Sequence, residues 1–311
     1  MRTVSSVLCT PFLCLLLFLF IPQGEAQGQS KIAPVWQPLV ARLERDGLSH
    51  AQVKAYFATL PPTITQSPMG RKMVDLYKKK FFPNPPPKPT DYYKGVVTQE
   101  NAAKCRRYLR EHAQAFESAA AKYGVSPEIA VALLFVETRL GTVLADVPEN
   151  AFYTLASMAL SRKPQDIAAW LPKMRGHASR LAWIERTMQP RAEWAYRKVR
   201  ALVRYMLENN IRPEQMPSSI YGAVGLCQFM PSNIPLYGAD GNGDGRIDLF
   251  CIDDATASLA NYLAKHGWKR DNTRAEQHAL LMKYNHAAVY ANTILALSDL
   301  VAATQPPVRE R

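Results

Sequence analysis

The sequence predicts a mainly α-helical fold with little β structure. Three observations carry this reading. Apolar residues recur at helical spacing in one segment after another, helix-starting and helix-stopping residues bracket those segments, and neither a β-rich block nor an internal repeat occurs.

Residues 1–26 stand apart from the fold. Arg2 precedes an apolar run from Val7 to Ile21, and Gly24 and Ala26 occupy the minus-three and minus-one places of a cut after Ala26. This is the pattern of a cleaved secretory signal peptide. An uncleaved anchor is the alternative, which the short run and weak flanks disfavour. Neither Cys9 nor Cys14 follows the small residue that a lipid-attachment box requires. The expectation is therefore a periplasmic protein that is not a lipoprotein.

Residues 27–98 read as N-terminal helices and a connector. "APVWQPLVARLERDG" has helical apolar spacing and stops at Gly47; "SHAQVKAYFATLPP" starts at Ser49 and ends at paired prolines. "YKKKFFPNPPPKPTDYYKG" is basic and proline-rich, an extended surface connector. Its Lys78, Lys79 and Lys80 form either a polyanion patch or, the commoner case, a solvated face beside a linker. A long helix is expected from Gln99 to Lys122. Ser126 then caps a helix with Pro127 at its first position, running "PEIAVALLFVETRL" to Gly141. Apolar on nearly all faces, it should be buried and central. Residues 165–209 give two or three helices rich in Trp and Arg, and "DATASLANYLAKHGW" and "HAAVYANTILALSDLVAA" give two more. The tail at 305–311 should fray.

The net charge of +12 suits an acidic partner: a wall polymer, an anionic membrane surface or nucleic acid. Charge does not choose among them, and no nucleic-acid-binding motif occurs. Cleavage leaves Cys105, Cys227 and Cys251, which permit one bridge in an oxidising compartment. CxxC and HExxH are both missing, so zinc and thioredoxin-type chemistry lack support.

Three stretches carry chemistry. In "LLFVETRLG", Glu137 ends a nearly apolar run. Burial and the carbonyl end of a helix both disfavour its charged form, which suits a proton donor. Pairing with Arg139, or escape to solvent at the helix end, is the bland alternative. "SIYGAVGLCQFMPSN" combines close-approach glycines, the amide of Gln228 and an apolar Phe-Met-Pro floor, a mixture that suits sugars but also describes an ordinary glycine turn. "DGNGDGRIDLFCIDD" opens as a calcium loop, with Asp240, Asn242 and Asp244 at places one, three and five and Gly245 at six. Cys251 stands at place twelve where a Glu belongs, and a metal-free turn is the alternative.

Taken together and in order, "VETRLG", "GAVGLCQFMPSN" and "YNHAAVY" (284–290) resemble the motifs of the lytic transglycosylases of the murein transglycosylase B family. The likeness covers nearly the whole mature chain, including "YKKKFF". It implies a lysozyme-like helical catalytic domain over 99–304, containing the loop at 240–254, with additional packed N-terminal helices. It implies Glu137 as the single acid/base, with Ser219, Gln228, Tyr284 and Asn285 lining a glycan groove. Arg191 matches one of two arginines near the peptide stem; Pro190 holds the other's place. Asp254 would close the metal loop, giving Asp240, Asn242, Asp244, the Arg246 carbonyl and Asp254 as ligands for a structural Ca2+ or Na+, with no cofactor for the chemistry itself. Cys227 and Cys251 depart from the family pattern and suggest a bridge, against three reduced thiols. Leu226 replaces an aromatic residue, extra sequence lies between Ser161 and Met188, and less lies between Trp268 and Tyr284.

Ordinary glycosidases use two carboxylates, and no second acid lies in these motifs. The resemblance implies that Glu137 protonates the oxygen between N-acetylmuramic acid and N-acetylglucosamine. It then deprotonates the muramyl 6-hydroxyl, which closes a 1,6-anhydro ring. The implied partners are peptidoglycan strands acted on by a monomer, with wall-synthesis or divisome proteins as further candidates. A non-catalytic peptidoglycan-binding scaffold and a goose-type muramidase are the rival readings.

Overall fold

Polar caps set where many of the helices begin, and apolar faces set what they touch. The structure, a computed structural model, describes residues 31–85 and 90–303. The leader, part of the proline-rich connector and the tail at 305–311 lie outside the described residues. The helices are α1 (Gln37–Arg45), α2 (His50–Phe57), α3 (Ser67–Phe81), α4 (Gln99–Glu111), α5 (Ala113–Tyr123) and α6 (Pro127–Thr138), then α7 (Ala151–Leu160), α8 (Leu181–Glu208), the single turn α9 (Ile234–Tyr237), α10 (Ile252–Lys265), α11 (Arg274–Tyr284) and α12 (Ala288–Ala302). Thr98, Ser126 and Asn150 cap α4, α6 and α7 with side-chain oxygens, and Thr273 with Glu276 forms a capping box at α11.

Helix α6 is the centre. Ile129 to Phe135 are all buried, so no face is left for water. Helices α4, α5, α10 and α12 surround it. The N-terminal helices join the same core: the Phe57 ring meets Phe152 of α7 edge-on at 4.9 Å, and Trp36 meets Phe57 at 6.3 Å. One apolar cluster runs from Ile32 to Val301.

Two expectations change. The helix expected over 99–122 breaks at His112 (φ −123°, ψ 32°), because α4 packs on α12 while α5 packs on α10. Residues 164–180 form 3-10 turns rather than helix; Pro172 lacks an N–H donor, and Gly176 (φ 69°) turns the chain before α8 starts. Among the described residues, β structure is limited to isolated bridges such as Val224↔Phe229. No described helix is long and apolar enough to cross a membrane.

Candidate active site

Glu137 sits in the last turn of α6, just before an unusual exit. Arg139 (φ 52°) and Leu140 (φ 60°) are both left-handed and are followed by Gly141 (φ 89°). Two successive non-glycine residues in this region are strained. Thr138 offsets the strain. Its hydroxyl accepts from the Gly141 N–H at 3.0 Å and lies 3.3 Å from the Leu134 carbonyl and 3.1 Å from that of Leu226. The helix end is thereby tied to the loop carrying Gln228.

That loop is a tight reversal. The Val224 and Phe229 backbones exchange hydrogen bonds of 2.9 and 3.0 Å. Gly225 (φ 75°) is required on two counts: its backbone angle, and a Cβ there would lie 2.4 Å from Leu249. Gln228 is left-handed (φ 50°), and its amide donates to the Gly225 carbonyl at 2.9 Å. Ser219 accepts from the N–H groups of Tyr221 (3.3 Å) and Ala223 (3.1 Å), so its oxygen shapes the loop.

A relay of tyrosines joins loop to acid. The Tyr284 hydroxyl donates to the Cys227 carbonyl at 2.6 Å, its ring stacks on Tyr290 at 6.3 Å, and the Tyr290 hydroxyl donates to Glu137 Oε1 at 2.6 Å. Burial pushes the Glu137 carboxyl up to about 7, and the Tyr290 hydrogen bond pulls it part of the way back. Among the described residues no ion pair joins Glu137 to Arg139, whose guanidinium instead lies 4.7 Å over the Phe135 ring. Burial, and secondarily the Glu137 charge, holds the Tyr290 hydroxyl well above its ordinary range. Tyr93 is raised by the same two causes, which places it near the acid as well.

The residues expected to line a groove thus divide. Tyr284 reaches Glu137 through its ring stack on Tyr290, and Gln228 sits on the loop whose Leu226 carbonyl lies 3.1 Å from the Thr138 hydroxyl. Ser219 lies at the base of the loop, and Asn285 is exposed just beyond α11. Arg191 lines a cavity of about 570 Å³ that it shares with Tyr221 and Met230 of the loop. Its Nη1 donates to the Thr187 carbonyl at 2.7 Å, while its Nε is buried without a partner. Tyr290 and Thr138 were missed in sequence. Tyr290 closes the "YNHAAVY" stretch and Thr138 follows Glu137, but only the fold reveals their bonds.

The Cys227–Cys251 bridge is not formed; Cys105, Cys227 and Cys251 are all free thiols. Cys227 is enclosed in the core, where burial pushes its thiol up to about 12. Cys251 stands half-buried at the start of α10, its sulfur 3.7 Å from an Asp253 oxygen.

The loop at 240–254 is folded on its own amides. Asp240 accepts from Gly243 (2.6 Å) and Gly245 (2.8 Å), Asn242 from Asp244 (3.0 Å) and Asp244 from Arg246 (2.8 Å). Asp254, buried at the start of α10, accepts from Gly241 and Asp248, each at 2.7 Å. Each carboxylate keeps lone pairs beyond these bonds. Among the described residues no three acidic, His or Cys side chains form a metal-holding group, so a ligand set here needs Asn242 and the Arg246 carbonyl too. The donors fit a hard cation in kind: all are oxygens, and Asp254 is buried with the Asp240 charge acting on it.

Residues 31–277 match the family model described as the transglycosylase SLT domain. The membrane-bound lytic murein transglycosylase B of Escherichia coli (strain K12) is 29% identical over 177 residues, which cover 57% of this chain and 41% of that relative. The match therefore spans less than half of that relative's length. Soluble lytic transglycosylase SltB1 from Pseudomonas aeruginosa superposes with a TM-score of 0.64 at 18% identity, covering 86% of this chain and 98% of that one. Lytic transglycosylase Slt35 of Escherichia coli, solved in complex with calcium, gives 0.61 at 20% identity, covering 87% and 93%. The fold is that of these lysozyme-like enzymes.

Proposed function

Because the chain belongs to the transglycosylase SLT domain family, we propose that it cleaves the β-1,4 bond between N-acetylmuramic acid and N-acetylglucosamine in peptidoglycan and leaves 1,6-anhydro ends. One observation carries the reading: a carboxyl group held near neutrality by burial, with the Tyr290 hydroxyl at 2.6 Å as its hydrogen-bond partner. A group titrating near 7 can hold a proton for the leaving oxygen and then take one back, the two tasks of a single acid/base. Tyr290 donates to Oε1 and leaves the other oxygen for substrate. The motifs that carry the site hold no second carboxylate, which favours an internal nucleophile, the muramyl 6-hydroxyl, over a protein one.

Gln228 and Tyr284 would hold the sugar backbone on the loop that Thr138 ties to the acid, with Ser219 and Asn285 at its margins. Arg191 would meet a stem-peptide carboxylate, which the unpartnered Nε supports. A Ca2+ or Na+ on Asp240, Asn242, Asp244, the Arg246 carbonyl and Asp254 would fasten the loop to α10 and take no part in bond cleavage. The leader pattern at 1–26 supports export to the compartment that contains this substrate.

The test is mass spectrometry of purified murein after digestion. Wild type should release anhydro-muropeptides without added water, and Glu137→Gln should release almost none. Reducing muramic ends would mark a muramidase instead; equal activity of the variant would remove Glu137 from its role.

A further inference from the structure

At the C-terminal end of α3 and the start of α8 lies a surface that the proposed chemistry does not use. Lys78, Lys79 and Lys80 fill the last turn of α3 and are exposed. Residues 174–183 fold back onto Tyr77 and Phe81 on either side of them. The Tyr77 hydroxyl donates to the Arg175 carbonyl at 2.7 Å, and Arg180 Nη1 donates to the Tyr77 hydroxyl at 2.9 Å. The Arg180 guanidinium lies 4.1 Å over Phe81, and Trp183 packs on Phe81 at 5.0 Å. Apolar surface stays open among these cations: Phe82 is 42% exposed and Leu181 39%.

The charge is one-sided. Across 76–82 and 174–186 stand Lys78, Lys79, Lys80, Arg175, Arg180 and Arg186, against Glu185 alone. None of the six forms an ion pair with a described residue. A merely solvated face does not need an open Phe and Leu set among its lysines. A site for a soluble polyanion would use the cations and leave the apolar groups idle. An anionic bilayer uses both: its phosphates draw the cations, and its interface takes up the ring and the Leu side chain.

We propose that this corner docks on an anionic lipid surface. Leu181 and Arg191 lie ten residues apart on α8, roughly 15 Å along the axis. Docking would therefore hold the cavity that contains Arg191 close above the membrane.

Cosedimentation of the purified protein with vesicles tests this, using phosphatidylcholine alone and phosphatidylcholine with about one-third phosphatidylglycerol. Binding to the anionic vesicles should exceed binding to the neutral ones and weaken with salt. Replacing Lys78, Lys79 and Lys80 together by Gln should weaken it about a hundredfold. The double variant Phe82→Ser, Leu181→Ser should weaken it about tenfold while keeping the salt dependence. Murein digestion in solution should not change in either variant, which also reports that both fold. Equal binding to both vesicle types, or full binding by the lysine variant, overturns the proposal. Full binding by the Phe82/Leu181 variant marks a soluble-polyanion site and overturns the lipid reading.

Discussion

Glu137 on α6 is enclosed by apolar packing and Glu193 on α8 stands half-exposed among cations, and one keeps its proton near neutrality while the other releases it in acid. Around Glu193 the chain has gathered cations. Arg42 donates to both of its oxygens, at 3.0 and 2.6 Å, and Arg162 donates to one of them. These bonds pull the carboxyl down to about 2. Glu137 forms no ion pair with a described residue; its one hydrogen bond comes from the Tyr290 hydroxyl, and burial pushes the group up to about 7. Holding a proton in reserve depends on excluding arginine as much as on burial, since bonded guanidinium groups reverse the sign.

The sharpest way to break this comparison is Glu137→Gln, which keeps the shape and removes the titration. Murein turnover, followed by soluble muropeptide release, should fall by about a thousandfold. Glu193→Gln should leave the rate near wild type.

Stability should move in opposite directions for the two glutamates. In the unfolded chain Glu137 titrates near 4.5. Above that pH the unfolded state sheds the proton first, and the native state is penalised increasingly up to about 7. Glu137→Gln should therefore be more stable than wild type by about 3 kcal/mol at pH 8 and no different near pH 4, as read by denaturant unfolding. The depressed Glu193 contributes stability that is complete above 4.5 and lost as pH falls toward 2. Glu193→Gln should cost about 1 kcal/mol at neutral pH, a modest figure because the ion pair is partly exposed, and nothing near pH 2.

A smaller effect sharpens the comparison further. Tyr290 is the one group that favours the charged form of Glu137. Its replacement by Phe should move the alkaline limb of the pH–rate profile upward by about one unit. A downward shift would mean that the tyrosine serves the protonated acid instead.

Much of the fold was legible because its signals are local. Ser126, Pro127 and Gly141 bracket the buried helix, and "VETRLG" and "GAVGLCQFMPSN" mark the two sides of the site. The break at His112 carries no Gly or Pro and depends on which neighbour each half meets, which no window of sequence records. The bond from Tyr290 to Glu137 spans 153 positions. The cysteines misled for a related reason: that Cys227 and Cys251 both depart from a pattern says nothing about whether their sulfurs meet. The Arg42–Glu193–Arg162 cluster leaves no local mark, since surface-type charges on three distant segments are unremarkable one by one.

The contact from Tyr284 to the Cys227 carbonyl has an evolutionary consequence. The tyrosine grips a main-chain atom, which every amino acid supplies. Position 227 is therefore free to drift among small side chains while the grip on the turn persists. A lineage can acquire or discard a thiol there without retuning the acid, and its presence in this chain need signal no redox duty.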